Sequence, residues 1–173
     1  MNSVLSYGKV VIMLDMNIKN VKLTEAISTE LFDTARALFR EYAEYINVDL
    51  SFQNFSKELD EVEQQYTRPQ GVPIVASINE EAIGCFAIRK LEKEVCELKR
   101  MYIREVARGI GLGKSLLQES LKQAKALGYA KMRLDTLPSM IAAISLYKKF
   151  GFYEIESYRY NPIEGTKYLE CAL

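Results

Sequence analysis

Residues 108–115, Arg-Gly-Ile-Gly-Leu-Gly-Lys-Ser, set three glycines on alternate positions just ahead of an apolar run with helical spacing. Without Cβ atoms, such a stretch lets backbone N–H groups approach an anion closely. The unpaired amides and the dipole of the helix that follows favour a phosphate there. Three loop patterns compete for this stretch. A Walker A loop needs GxxxxGK[ST]; Gly113-Lys114-Ser115 supplies its end, but Arg108 stands where its first glycine belongs. A dinucleotide fingerprint needs GxGxxG, whereas Gly109, Gly111 and Gly113 give GxGxG, after a strand that does not head a βαβ unit. The third pattern, [RQ]xxGx[GA], is met by Arg108 through Gly113.

The chain lacks histidine entirely. Ser–His and Cys–His nucleophile pairs are thereby excluded, along with most transition-metal sites, so no metal is expected. Chemistry falls to carboxylates, Tyr, Lys, Cys or bound water. Lys plus Arg total 23 and Asp plus Glu total 23, a balance that gives no long-range pull toward nucleic acid or an acidic membrane. The N-terminal apolar run, residues 10–14, is too short to span a bilayer. Three scattered cysteines without a CxxC pair suggest a reducing, cytoplasmic setting.

The elements that must hold this loop follow from periodicity. Alternation predicts strands over 17–23, 72–78, 82–91, 94–104, 129–137, 152–160 and 167–173. Apolar residues at helical spacing predict helices over 28–46, 55–66, 112–127 and 139–150. Short connections make the middle three strands an antiparallel meander. Residues 1–16 read as a leader or edge strand, and 17–173 as one domain of mixed α/β (α+β) class.

Two further stretches sharpen the reading. The run 97–113, ELKRMYIREVARGIGLG, and the run 139–152, SMIAAISLYKKFGF, together with the element order, resemble the GNAT superfamily of acyl-CoA-dependent N-acetyltransferases. The resemblance implies a central, mostly antiparallel, twisted sheet of about seven strands flanked by about four helices. It implies acetyl-CoA as co-substrate, its pyrophosphate wrapped by Arg108, Gly109, Ile110, Gly111, Leu112, Gly113 and Lys114. Main-chain groups of Met101, Tyr102 and Ile103 would pair with the pantetheine arm and polarise the thioester. Tyr147 matches the tyrosine that protonates the departing thiolate, as a phenol with an ordinary pKa of about 10 can; the alternative is an aromatic wedge against the sheet. Glu97 stands where some members place a general base, or else it pairs with Lys99 or Arg100. Met140 occupies a position where many members have Asn, three residues before Ala143.

The implied activity is acetyl transfer from acetyl-CoA to a primary amine by direct attack in a ternary complex; the alternative is a non-catalytic acyl-CoA-binding sensor. The acceptor would be a small-molecule or peptide amine, against a wall drawn from Tyr42, Tyr45, Asp49, Phe52 and Phe55. An exposed closing strand at 167–173 would allow a homodimer.

Overall fold

A computed structural model describes residues 16–173, together with the backbone of two earlier strands. Those strands, β1 (Ser3–Tyr7) and β2 (Val10–Leu14), pair antiparallel in a sheet of their own. Apart from these strands and Met16, the expected leader or edge strand over residues 1–16 lies outside the described residues.

The main sheet has seven strands: β3 (Lys22–Glu25), β4 (Val72–Ile78), β5 (Glu81–Lys90), β6 (Val95–Ile103), β7 (Lys131–Thr136), β8 (Tyr153–Ile155) and β9 (Lys167–Ala172). Their spatial order is β3-β4-β5-β6-β7-β9-β8, with only β6 and β7 parallel. The helices are α1 (Thr29–Ile46), α2 (Phe55–Asp60), α3 (Val62–Gln65), α4 (Leu112–Ala126) and α5 (Ile141–Lys149). Along β4, Val72, Ile74, Ala76 and Ile78 face the core beneath α4 and α5, whereas Val75 faces the core beneath α1 and α3. That period of two sends apolar residues to both faces, so the strand is buried almost throughout. Leu112, Leu116 and Leu117 fix α4 to the sheet with no more than 1% exposure, each contributing about 1.5–3 kcal/mol.

Two expectations are corrected here. The segment 55–66 is not one helix: it breaks at Glu61 into α2 and α3. Glu58 before the break and Val62 and Tyr66 after it all turn inward, with Tyr66 donating to Glu58 Oε1 at 2.6 Å. The strand at 167–173 is not an exposed edge, because β9 lies between β7 and β8. Its backbone pairs with β7 along its length and with β8 over residues 168–170, so the outer strand at this end of the sheet is β8.

One irregularity shapes the rest. Opposite β5, the register of β6 slips between Lys99↔Ala87 and Tyr102↔Cys85, which leaves an extra residue on β6. Arg100 sits in this bulge with φ +54°, a left-handed conformation unusual for a side chain of its size. The ladder between β6 and β7 runs only from Val95↔Lys131 to Glu97↔Arg133. Beyond the bulge the two strands part, opening a wedge in the middle of the sheet.

Candidate active site

The wedge forms a cleft of about 680 Å³. Met101, Tyr102 and Ile103 on β6 form one wall, and Met140, Ala143 and Tyr147 from the α5 region the other. Tyr102 and Ile103 pair with Cys85 and Gly84 of β5 on one side only. Their other backbone edge faces the opening, where an extended ligand can add as a strand.

At the cleft's end lies the glycine loop. Gly109 has φ +83° and Gly111 φ +90°, and no atom lies within 4 Å of where a Cβ would stand on either. Gly111 begins α4 and supplies no side-chain cap, so the helix's first amides remain available to an anion. Gly113 lines the cleft and comes close to Ile103 and Leu146, 3.5 and 3.6 Å from its missing Cβ. Ile110 and Leu112 send their side chains into the core, which leaves only their backbones for a ligand. Lys114 is exposed. Arg108 lines the cleft but turns its guanidinium onto the Tyr45 ring, 4.3 Å from the centroid, and donates Nε to Ile103 O at 3.3 Å.

Tyr147 is 7% exposed and packs on Phe152, ring centroids 5.6 Å apart. Its hydroxyl lies 4.0 Å from Met101 Sδ. Burial, with the charges of Tyr42 and Asp135 behind it, pushes this phenol well above its ordinary pKa. It is a protonated donor across the neutral range.

Glu97 is placed elsewhere. Its side chain is fully buried and lines neither this cleft nor the cavity beside it. Arg89 Nε donates to Oε2 at 3.0 Å, Tyr158 donates to Oε1 at 3.1 Å, and Arg159 forms a second ion pair. The pairing with Lys99 or Arg100 weighed from sequence is not formed; Arg89 and Arg159 take those places. The carboxylate is thus already engaged by two guanidiniums and a phenol, away from both cavities.

Beside the cleft, and sharing Tyr42, Ile46 and Leu137 with it, is a smaller cavity of about 40 Å³. Sequence reasoning passed over most of its polar residues. Lys99, Arg100, Gln53, Asp135 and Asn161 line it. Gln53 connects them: its Oε1 accepts from Lys99 Nζ (3.1 Å) and Arg100 Nη2 (3.2 Å), and its Nε2 donates to Asp135 Oδ2 (3.4 Å). Arg100 is held bidentately by Glu58, at 2.8 and 2.6 Å, with its guanidinium over the Phe55 ring. Burial and the neighbouring Arg100 charge push Lys99 down to about 7. Of the expected acceptor wall, Tyr42 and Tyr45 line the cleft and Phe52 the small cavity. Phe55 backs Arg100, and exposed Asp49 caps the Ser51 amide and hydroxyl. Among the described residues no cluster of three His, Cys, Asp or Glu is arranged to hold a metal.

Comparison with known proteins decides what this arrangement belongs to. Residues 32–152 match the profile of the acetyltransferase (GNAT) family. The chain belongs to that family. An uncharacterized N-acetyltransferase of Schizosaccharomyces pombe is 35% identical, across 91% of this chain and 98% of the relative. An acetyltransferase from Streptococcus agalactiae has the same fold, with TM-score 0.74 and 18% identity over 90% of this chain and all of that one. A GNAT family acetyltransferase from Elizabethkingia anophelis, solved with acetyl-CoA bound, superposes with TM-score 0.62 at 22% identity over 89% of this chain and 99% of that one. The protein is therefore a GNAT acetyltransferase, with the mixed sheet and flanking helices its sequence implied.

Proposed function

We propose that this acetyltransferase moves an acetyl group from acetyl-CoA to a primary amine by direct attack, with both substrates bound together. The observation that carries the reading is the junction of two cavities at Tyr42, Ile46 and Leu137: a long cleft fits the donor, and a small polar one opens beside its reactive end. The free backbone edge of Met101–Ile103 takes the pantetheine arm, and an N–H there stabilises the tetrahedral oxyanion. The Gly109–Lys114 loop and the first amides of α4 take the diphosphate. The amine gives up its proton to solvent as it attacks, Tyr147 gives its own to the departing thiolate, and the phenolate recovers one from solvent. No covalent acyl-enzyme is needed. Cys85, Cys96 and Cys171 are all free and buried and line neither cavity; burial pushes the Cys96 thiol up to about 12 and Cys85 higher. These reduced thiols support a cytoplasmic location.

The test pairs calorimetry with acetyl-CoA and thiol release across a panel of amines. Binding heat with amine-dependent thiol release is expected. Absence of heat at saturating acetyl-CoA overturns the reading, and heat without turnover favours the sensor instead. A substitution refines it. Because nothing in the protein occupies the space beside Gly111, Gly111→Ala should lose only about 1–2 kcal/mol of stability, from its left-handed φ. If the loop wraps the diphosphate, the same methyl meets the ligand, and acetyl-CoA affinity should fall by about tenfold or more. Comparing the denaturation midpoint with the calorimetric Kd separates the two effects.

A further inference from the structure

The buried charges around and behind the small cavity do not balance. Where β5, β6, β7, α2 and the segment after β8 meet, the described residues bring together Arg89, Lys99, Arg100 and Arg159 against Glu58, Glu97 and Asp135, four cations facing three carboxylates. Arg133, also on β7, is matched separately by Glu92 and Glu170. Within the group, Glu58 neutralises Arg100, Glu97 is shared by Arg89 and Arg159, and Asp135 lies 3.5 Å from Arg159. Lys99 forms no ion pair with any described carboxylate. It is 4% exposed, and its hydrogen-bond partner is the neutral amide oxygen of Gln53. A buried ammonium with one neutral partner is unfavourable unless an anion completes it.

From this geometry we infer that the acceptor is a small amino carboxylate: Lys99 binds its carboxylate in the cavity, and its amine lies toward the thioester. Three observations agree. The cavity, about 40 Å³, has room for a few atoms, the size of a carboxylate. Asn161 and Gln53 line it with further polar groups. The residues shared with the cleft, Tyr42, Ile46 and Leu137, present mostly apolar surface between the two, suited to the short carbon chain joining the two charged ends. The depressed pKa of Lys99 fits an ammonium waiting for its counter-ion, since a bound carboxylate would restore its charge. This inference rests on the acetyl-transfer reading above and specifies its acceptor.

The experiment compares matched acceptors that differ only in the carboxylate: glycine with methylamine, β-alanine with ethylamine, γ-aminobutyrate with propylamine. Thiol release is followed at saturating acetyl-CoA. For at least one pair, the acid should exceed its decarboxylated partner in kcat/KM by about tenfold to a hundredfold, the range expected for a charged hydrogen bond. Lys99→Met should bring that ratio close to one while leaving the heat of acetyl-CoA binding unchanged, and Lys99→Arg should keep part of it. Removing a buried charge leaves a foldable protein, and the melting curve verifies this. Amines that turn over equally with or without a carboxylate overturn the inference but not the acetyl-transfer reading. So does a panel in which no amino acid gives turnover, or heat in the presence of CoA, although acetyl-CoA binds. A Lys99→Met enzyme slowed equally on both members of a pair, with the acidic limb of its pH profile lost, also overturns it and makes Lys99 a base. Failure of the reading itself looks different: acetyl-CoA then gives no heat with any variant.

Discussion

Replacing Glu58 with Gln should lower stability by about 3–5 kcal/mol, the loss seen when one member of a buried ion pair is removed. The pair is well placed to give the full effect. Glu58 and Arg100 are 2% and 3% exposed at their side chains, and the bidentate contact leaves Arg100 no comparable anion to turn to. Burial alone would raise the Glu58 pKa, but the hydrogen bonds and charge of Arg100, with Lys99 and Tyr66, outweigh it and hold the carboxyl at about 2. The folded state thus binds this proton more weakly than the unfolded one, whose value is near 4.5. Its stabilisation, about 3 kcal/mol from that difference, is complete above pH 4.5 and is lost as pH falls toward 2. Glu58→Gln should therefore flatten the part of the acid-unfolding curve that lies between those limits. Urea denaturation at neutral pH gives the size, and the same titration repeated from pH 5 to 2 gives the shape. The exposed Lys57–Glu61 pair is the control, with side chains 69% and 38% exposed; Glu61→Gln should change stability by no more than about 0.5 kcal/mol. A wild-type-like Glu58→Gln would mean that Arg100 is not held as described, and the Arg100 bulge would then lose its anchor.

What the sequence disclosed depended on how local each signal was. The start of α4 was legible because Gly109, Gly111 and the Leu stripe lie within one short run, and the meander of β4, β5 and β6 because its turns are tight. The bulge was not. An arginine in left-handed backbone carries no sequence signature, and Arg100 holds that conformation through Glu58, on a helix far along the chain. The partners of Glu97 were hidden for the same reason: Arg159 comes from the distant segment after β8. Lys99 was read only as a possible pairing residue, since its setting depends on Gln53, from the turn after α1. The position of β9 was likewise hidden, because alternation identifies a strand but not its neighbours. Chemistry written in backbone geometry near one motif could be read; chemistry assembled by long-range pairing could not.

Tyr147→Phe should lower kcat by about 100- to 1,000-fold, within the usual range for loss of a general acid. The substitution deletes one hydroxyl and leaves the ring, so its contact with Phe152 survives. The structural cost is small for a specific reason: the hydroxyl's hydrogen-bond partner is the Met101 thioether at 4.0 Å, a weak acceptor. Stability should change by less than about 1 kcal/mol, and the calorimetric affinity for acetyl-CoA should be retained. A group that acts only as the thiolate departs lowers kcat and kcat/KM together, whereas a group that merely holds the donor raises KM. The pH dependence gives an independent check. Burial keeps the phenol protonated well beyond the neutral range, so Tyr147 contributes no limb to the pH–rate profile between pH 6 and 9. The variant should reproduce the wild-type profile at reduced height. Unchanged kcat would make Tyr147 a packing residue, and proton delivery to the leaving sulfur would then fall to solvent entering through the cleft.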